Sequence, residues 1–328
     1  MPLPEKALIA EIRRLAKPAA GGRARAAVTE GIGDDCAILQ LPPETEALVT
    51  TDFTLEGIHF RREWHQPEVV GHRCLTRGLS DIAAMGGEPL AAFLSLALPR
   101  DLPQDWVGRF TRGLLALARK HGVTLAGGDT GESPRGILAD IIVVGAVPKG
   151  KAILRSGARP GDRLYVSGEL GASAAALVEL RAGEKRAGKK TVSPQTFPRH
   201  FYPEPRVAVA RFLREHRLAS AMIDISDGLS TDLAHICEES RVGAEIDSAL
   251  VPRAIVGKPL RDVSLDLALH GGEDYELLFT VPAGRRVPAR IAGVRITEIG
   301  RITRSRKILL RSPKGIGQLV PRGWEHFR

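Results

Sequence analysis

The stretch Ala221-Met222-Ile223-Asp224-Ile225-Ser226-Asp227-Gly228-Leu229-Ser230-Thr231-Asp232-Leu233 restricts the fold more than any other part of the chain. An apolar run enters a group of carboxylates and hydroxyls, and a helical pattern leaves it. The chain is expected to pass here from strand to helix, with Asp224 and Asp227 near the strand's end and the Ser226 hydroxyl between them. Oxygen donors gathered in this way suit a hard cation such as Mg2+, which usually shares its ligands with substrate phosphates. Simple helix capping by Asp227 or Ser230 explains one such side chain equally well. Within this stretch alone both readings stand.

The pattern recurs. Ala47-Leu48-Val49-Thr50-Thr51-Asp52 reads as an apolar strand ending in Thr50, Thr51 and Asp52. Val123-Thr124-Leu125-Ala126-Gly127-Gly128-Asp129-Thr130 reads as another, ending at Gly128 and Asp129, while Gly31-Ile32-Gly33-Asp34-Asp35 sets paired acids after a glycine turn. Like charges gathered together repel, so a site made from them needs cations to hold it together. Acid-tipped elements in both halves of the chain favour metal chemistry over capping.

A chain of 328 residues is long enough for two domains, and a 43% hydrophobic content supplies their cores. The formal net charge of +9 is compatible with nucleic acid, an acidic membrane or anionic small substrates. The basic residues are scattered and not interleaved with aromatics, which argues against a nucleic-acid surface. Cys36, Cys74 and Cys237 lack CxxC spacing and read as small buried residues of a reducing compartment. The N-terminus has no signal-peptide core and no run approaches a membrane span, so a cytoplasmic protein is expected.

Taken in order, Leu3 to Leu15 has the spacing of an amphipathic helix and is followed by a basic, glycine-rich loop at 17–23. Pro67 to Met85 is helical, and Asp81 interrupts its apolar face, as a residue with either solvent or a buried partner beside it. Strands are expected at 90–98, 123–126, 139–147, 163–167, 242–246 and 267–281, the last interrupted by Gly271-Gly272-Glu273-Asp274. The Gly- and Pro-rich segment after Pro148 marks a boundary between domains 1–148 and 149–328. Alternating strands and helices in both halves predict two α/β domains. Gly168-Glu169-Leu170-Gly171 opens a helix and is a weak candidate phosphate turn. Residues 183–191 nearly spell a Walker A loop, but Lys190 stands where Ser or Thr is required, and a basic insertion explains them better.

The segments GIGDDCAIL (31–39), TTD with EGIHF (50–60), LSDIAAMGGEP (79–89), GGDT (127–130), RSGARPGD (155–162), IDISDGLSTDL (223–233), GGEDYELLF (271–279) and GWEHF (323–327) follow one another over nearly the whole chain. In that order they resemble the thiamine-monophosphate kinase family of the aminoimidazole-ribonucleotide-synthetase-like superfamily. The resemblance implies two α/β domains with mixed sheets covered by helices, a homodimer formed through the N-terminal domain, and ATP at the subunit boundary. It also implies transfer of the ATP γ-phosphoryl group to thiamine monophosphate, with ATP as co-substrate and Mg2+ as cofactor.

Carried over position by position, the resemblance assigns Asp34, Thr50, Thr51, Asp52, Asp81, Asp129, Asp224 and Asp227 to Mg2+. Gly128, Asp129, Arg155 and Ser226 fall to ATP, and His59, Glu273 and Trp324 to the thiamine substrate. No protein nucleophile is implied, and direct in-line transfer is expected. Phe53, Gly131, Glu132 and Glu325 depart from the family's usual residues, and the 183–191 insertion is local to this chain. Other ATP-using members of the superfamily are the nearest alternatives, but the reactive N-terminal Cys of selenophosphate synthetase and the Cys-containing tail of the hydrogenase-maturation relative are missing from the sequence. A basic nucleic-acid-binding protein is a remoter one, resting on net charge alone.

Overall fold

The computed structural model describes residues 3–16, 27–33, 35–185, 192–325 and 327. Asp34, the whole of the basic loop at 17–23 and residues 186–191 of the basic insertion lie outside the described residues. The chain divides into two compact units, Met1–Ile82 with Gly87–Gly150, and Ala83–Gly86 with Lys151–Arg328.

The first unit contains α1 (Glu5–Ala16), β1 (Val28–Glu30), β2 (Ile38–Leu39), β3 (Thr45–Leu55), α2 (Pro67–Ala84), β4 (Glu88–Leu98), α3 (Trp106–His121), β5 (Thr124–Glu132) and β6 (Leu138–Pro148). Its four long strands form one sheet in the order β3–β6–β4–β5. Strands β4 and β5 are parallel, as a crossover through α3 requires, and the other neighbours are antiparallel. Side chains alternate across this sheet. On β3, Leu48 and Thr54 are buried, whereas Val49 and Phe53 are 68% and 54% exposed.

The sequence places Asp52 and Asp129 at strand ends, but both strands run on. Strand β3 pairs with β6 from Thr45 through Leu55, and β5 pairs with β4 as far as Glu132. Backbone pairing overrides the local polarity of Thr50-Thr51-Asp52 and Gly127-Gly128-Asp129. The acids therefore project from within strands, and the alternation of faces decides what each one meets.

The second unit contains β7 (Arg163–Ser167), α4 (Ala172–Lys185), α5 (Pro198–Phe201), α6 (Val207–Glu215), β8 (Ala221–Ile225), α7 (Leu229–Ser240), β9 (Gly243–Asp247), β10 (Ile255–Val256), β11 (Arg261–Asp262), α8 (Leu265–His270), β12 (Glu276–Val281), β13 (Arg290–Ile291), β14 (Val294–Thr303), β15 (Ile308–Ser312) and β16 (Gly315–Gln318). The main sheet runs β16–β15–β9–β14–β7–β12–β8, with β13 beside β14. Two apolar clusters line it. One joins Leu229, Leu233 and Ile236 of α7 to Leu164, Ile223 and Leu278, and the other joins Val209 and Leu213 of α6 to Tyr165, Met222 and Phe279. Burial of each such side chain contributes roughly 1.5–3 kcal/mol, which fixes α7 firmly on the end of β8.

The strand expected over 267–281 is a helix in its first part. Ser264 caps α8, its hydroxyl accepting the Leu267 N–H at 3.3 Å, and residues 271–275 form the loop into β12. Cys74 and Cys237 are buried as expected, but Cys36 is exposed because it lies in the turn preceding β2.

Candidate active site

In the first unit, α2 lays its polar interruption against β3. The Thr50 hydroxyl donates to Asp81 Oδ2, and Arg77 of α2 lies 3.9 Å from Asp52 Oδ1. Even-numbered residues of β3 thus face α2, and Asp81 gains its explanation as a carboxylate aimed at a strand hydroxyl. Thr51 points the other way. Its hydroxyl donates to Asp140 Oδ1 at 2.7 Å, on the face that carries Val49 and Phe53. Asp140 and Asp129 both lie in register with Ser95 of β4, so this open face carries its own acidic row.

Gly128 in that row admits no side chain. Its φ is +149°, and an added Cβ would sit 1.8 Å from the Leu94 carbonyl oxygen. A cavity of about 560 Å³ opens over Gly128 and Asp129, walled by Ile9 and Ile12 of α1, Phe93 and Leu125. His59 occupies the turn after β3, where its Nδ1 accepts the Leu55 N–H at 3.0 Å. The Nε2 atom is therefore the protonated nitrogen of the neutral ring.

The second unit carries the stretch on which the sequence turns. Asp224 is the penultimate residue of β8, with 3% of its surface exposed, and Ser226 and Asp227 form the turn into α7. Asp232 reaches back from the first turns of α7 and accepts the N–H groups of Asp227 at 3.3 Å and Gly228 at 3.0 Å. Burial first, and then the charges of Asp224 and Asp227, push the Asp232 carboxyl well above its ordinary pKa. Asp227, Asp232 and His235 bring three potential ligand atoms within 4.8 Å of one another.

Two further segments dock on this turn. In the loop before β12, Glu273 donates its N–H to the Ser226 carbonyl at 2.8 Å, and Tyr275 donates to the Ile225 carbonyl at 2.9 Å. Glu273 and Tyr275 both have positive φ, at +65° and +51°, an uncommon conformation for residues with side chains. The C-terminal segment returns to the same place, where Trp324 donates its N–H to the Asp227 carbonyl at 3.0 Å. Glu273 and Trp324, far apart in sequence, thus hang from adjacent peptide units of the Ser226–Asp227 turn. Arg155 begins a 3-10 turn whose carbonyl accepts the Ser240 hydroxyl at 2.7 Å.

The Gly168–Gly171 turn is not an open phosphate cradle. The buried Asp274 carboxyl group accepts the Gly171 N–H at 2.6 Å, and a second hydrogen bond comes from the Ser173 N–H, so the free N–H groups at the start of α4 already have a partner within the protein. Sequence reasoning assigned no role to Asp140, Asp232 or His235. The signals were present: Asp140 is the one acid in the apolar run 139–147, and Asp232 and His235 are three residues apart on one helix face.

Residues 33–150 match the family described as AIR synthase related protein, N-terminal domain, and residues 159–311 match its C-terminal domain. Thiamine-monophosphate kinase of Escherichia coli O157:H7 is 40% identical over 279 residues, covering 83% of this chain and 84% of that one. The enzyme of Bacillus subtilis (strain 168) is 34% identical over 308 residues, covering 92% and 94%. The solved thiamine-monophosphate kinase of Stenotrophomonas maltophilia K279a superposes with a TM-score of 0.80 at 34% identity, covering 98% of this chain and 99% of that one. AaThiL, solved in complex with AMPPCP and TMP, superposes with a TM-score of 0.76 at 32% identity, covering 98% and 97%. With two units of the same mixed α/β architecture, the chain belongs to the thiamine-monophosphate kinase family.

Proposed function

We propose that the protein transfers the terminal phosphoryl group of ATP to thiamine monophosphate, giving thiamine diphosphate and ADP. Family membership supports the reading, as does the likeness to AaThiL with AMPPCP and TMP. The single observation that carries it is the Ser226–Asp227 turn, on whose backbone both the Glu273 loop and the Trp324 segment are hung. Asp227, assigned to the cation, and Glu273 and Trp324, assigned to the acceptor, are thereby held together within the second unit.

The donor set fits Mg2+. Thr50, Thr51, Asp52, Asp81, Asp129, Asp224 and Asp227 offer oxygen only, and the crowding felt by Asp232 beside Asp224 and Asp227 is of the kind a cation relieves. These residues, with Asp34, would hold the ions, and bound Mg2+ would neutralise the anionic oxygens of donor and acceptor phosphates. Gly128 gives ATP close access to backbone, and Arg155 and Ser226 contribute side chains to it. Glu273, Trp324 and His59 orient the thiamine substrate, His59 as a donor through Nε2.

No protein nucleophile takes part in this reading. The acceptor phosphate, with a second pKa near 6, is already largely ionised at neutral pH, and its own oxygen attacks the γ-phosphorus in line. Positioning and charge stabilisation then supply most of the catalysis. The open face of the first unit's sheet, with Val49 and Phe53 exposed, supports the further reading that a second copy of the chain covers it to form a homodimer.

The test is direct. Purified protein incubated with ATP, MgCl2 and thiamine monophosphate should yield thiamine diphosphate and ADP in equal amounts by anion-exchange chromatography. ADP without thiamine diphosphate would refute the assignment.

A further inference from the structure

The segment that carries Trp324 is held by more than one backbone hydrogen bond. Three consecutive N–H groups are received by the first turn of α7 and the turn that precedes it. Arg322 donates to the Ser230 hydroxyl at 3.4 Å, Gly323 to the Thr231 hydroxyl at 3.0 Å and Trp324 to the Asp227 carbonyl at 3.0 Å. The approach is close enough to demand glycine at 323, where an added Cβ would lie 2.1 Å from the Asp227 carbonyl oxygen.

A side-chain chain locks this arrangement. His270, the last residue of α8, lies with Nδ1 2.8 Å from the Ser230 hydroxyl and Nε2 2.7 Å from an Arg322 guanidinium nitrogen. The same guanidinium nitrogen donates to Asp266 at 2.8 Å. An arginine has no acceptor, so Nε2 must accept from it. The ring is then neutral, Nδ1 carries the proton, and Nδ1 donates to Ser230. Ser230 Oγ receives both that N–H and the Arg322 backbone N–H. Burial first, and then the Arg322 charge, lower the His270 pKa, in keeping with a ring held neutral.

The geometry brings together three segments distant in sequence: α7 at Ser230, the end of α8 at His270, and the irregular segment after β16 at Arg322. His270 directly precedes Gly271-Gly272-Glu273, so the lock also adjoins the other substrate-facing loop. Ser230 is fully buried, whereas the Arg322 side chain is 62% exposed. The outer member of the lock can therefore be removed without opening the core.

We propose that Ser230, His270 and Arg322 form a latch of positioning residues that sets the affinity for the thiamine acceptor by seating Trp324, without touching the phosphates or the cations. The inference rests on the assignment of Trp324 to the thiamine substrate. Opening the latch frees the Gly323–Trp324 peptides and leaves Asp224 and Asp227 in place, because Asp224 is paired with Leu277 in the sheet and Asp232 independently holds the N–H groups of Asp227 and Gly228.

The test compares Arg322→Ala, His270→Ala, Arg322→Lys and Trp324→Ala in steady-state kinetics and in hydrogen–deuterium exchange. Arg322→Ala and His270→Ala should each raise KM for thiamine monophosphate about tenfold, with KM for ATP and kcat at saturation within about twofold of wild type. Arg322→Lys, which keeps a donor for His270, should recover part of the loss. Exchange at the Gly323 and Trp324 amides should quicken in the two alanine variants, while the amides of 232–237 in α7 stay protected. Unchanged exchange at Gly323 and Trp324, or a kcat that falls as much as KM rises, would overturn the latch. If Trp324→Ala raises KM and Arg322→Ala does not, the latch alone fails. If Trp324→Ala leaves KM unchanged, the substrate assignment fails and takes the latch with it.

Discussion

Thr51 donates its hydroxyl to Asp140 at 2.7 Å on one face of β3, while its neighbour Thr50 donates to Asp81 on the other. Each hydroxyl spends its single proton on a carboxylate and keeps its lone pairs for another partner. A row of adjacent donors in the sequence is thus two pairs in space, separated by the thickness of a strand.

This division predicts unequal sensitivities. Asp81→Asn replaces a carboxylate assigned to Mg2+ and should lower kcat/KM by at least about a hundredfold, a loss of roughly 3 kcal/mol. Asp140→Asn keeps an acceptor for Thr51 and should change kcat/KM by less than about fivefold, with a modest rise in the Mg2+ concentration for half activity. Magnesium titrations of both variants check it. Equal losses would mean that Thr51 and Asp140 belong to the same cation site as Asp81.

The Asp274 carboxyl carries a pH signature. Burial is the largest influence, opposed by the Gly171 N–H and reinforced by the Glu276 charge, and together they raise its pKa from 3.8 to about 7. The folded protein holds this proton to higher pH than the unfolded chain does. The contribution to stability is therefore full below about pH 4 and is lost as the pH rises to about 7, by a few kcal/mol in order of magnitude. Urea denaturation at pH 5 and pH 8 should show a drop for wild type that is much smaller for Asp274→Asn. Identical pH dependence in the two proteins would contradict the burial argument.

Much of this was legible in the sequence, for identifiable reasons. The turn at Asp224–Asp227 was readable because an apolar strand, an acidic turn and an amphipathic helix follow one another without ambiguity. The faces of β3 were not, because Thr50-Thr51-Asp52 looks like a strand's end until its pairing with β6 is known. Residues 265–270 are too short and too apolar to distinguish helix from strand by period, and the Ser264 cap was the overlooked signal. The assembly of Glu273 and Trp324 on the Ser226–Asp227 backbone is carried by peptide groups. No side-chain pattern reports a contact of that kind.

The open sheet face yields a prediction about assembly. If a second copy covers Val49 and Phe53, sedimentation at micromolar concentration should give about twice the chain mass of 35.3 kDa. A Val49→Lys, Phe53→Lys double variant should sediment as a monomer while keeping its far-ultraviolet circular dichroism. A wild-type protein that sediments as a monomer at full activity would exclude this interface.

The central claim is direct transfer from ATP to thiamine monophosphate, and one labelling measurement bears on it most closely. Protein with MgCl2 and γ-32P-labelled ATP is incubated with and without the acceptor, then separated into protein and small-molecule fractions. The label should enter thiamine diphosphate only when both substrates are present, and the protein fraction should stay unlabelled throughout. Label on the protein after incubation with ATP alone, chased into thiamine diphosphate when the acceptor is added, would contradict direct transfer and identify a protein nucleophile.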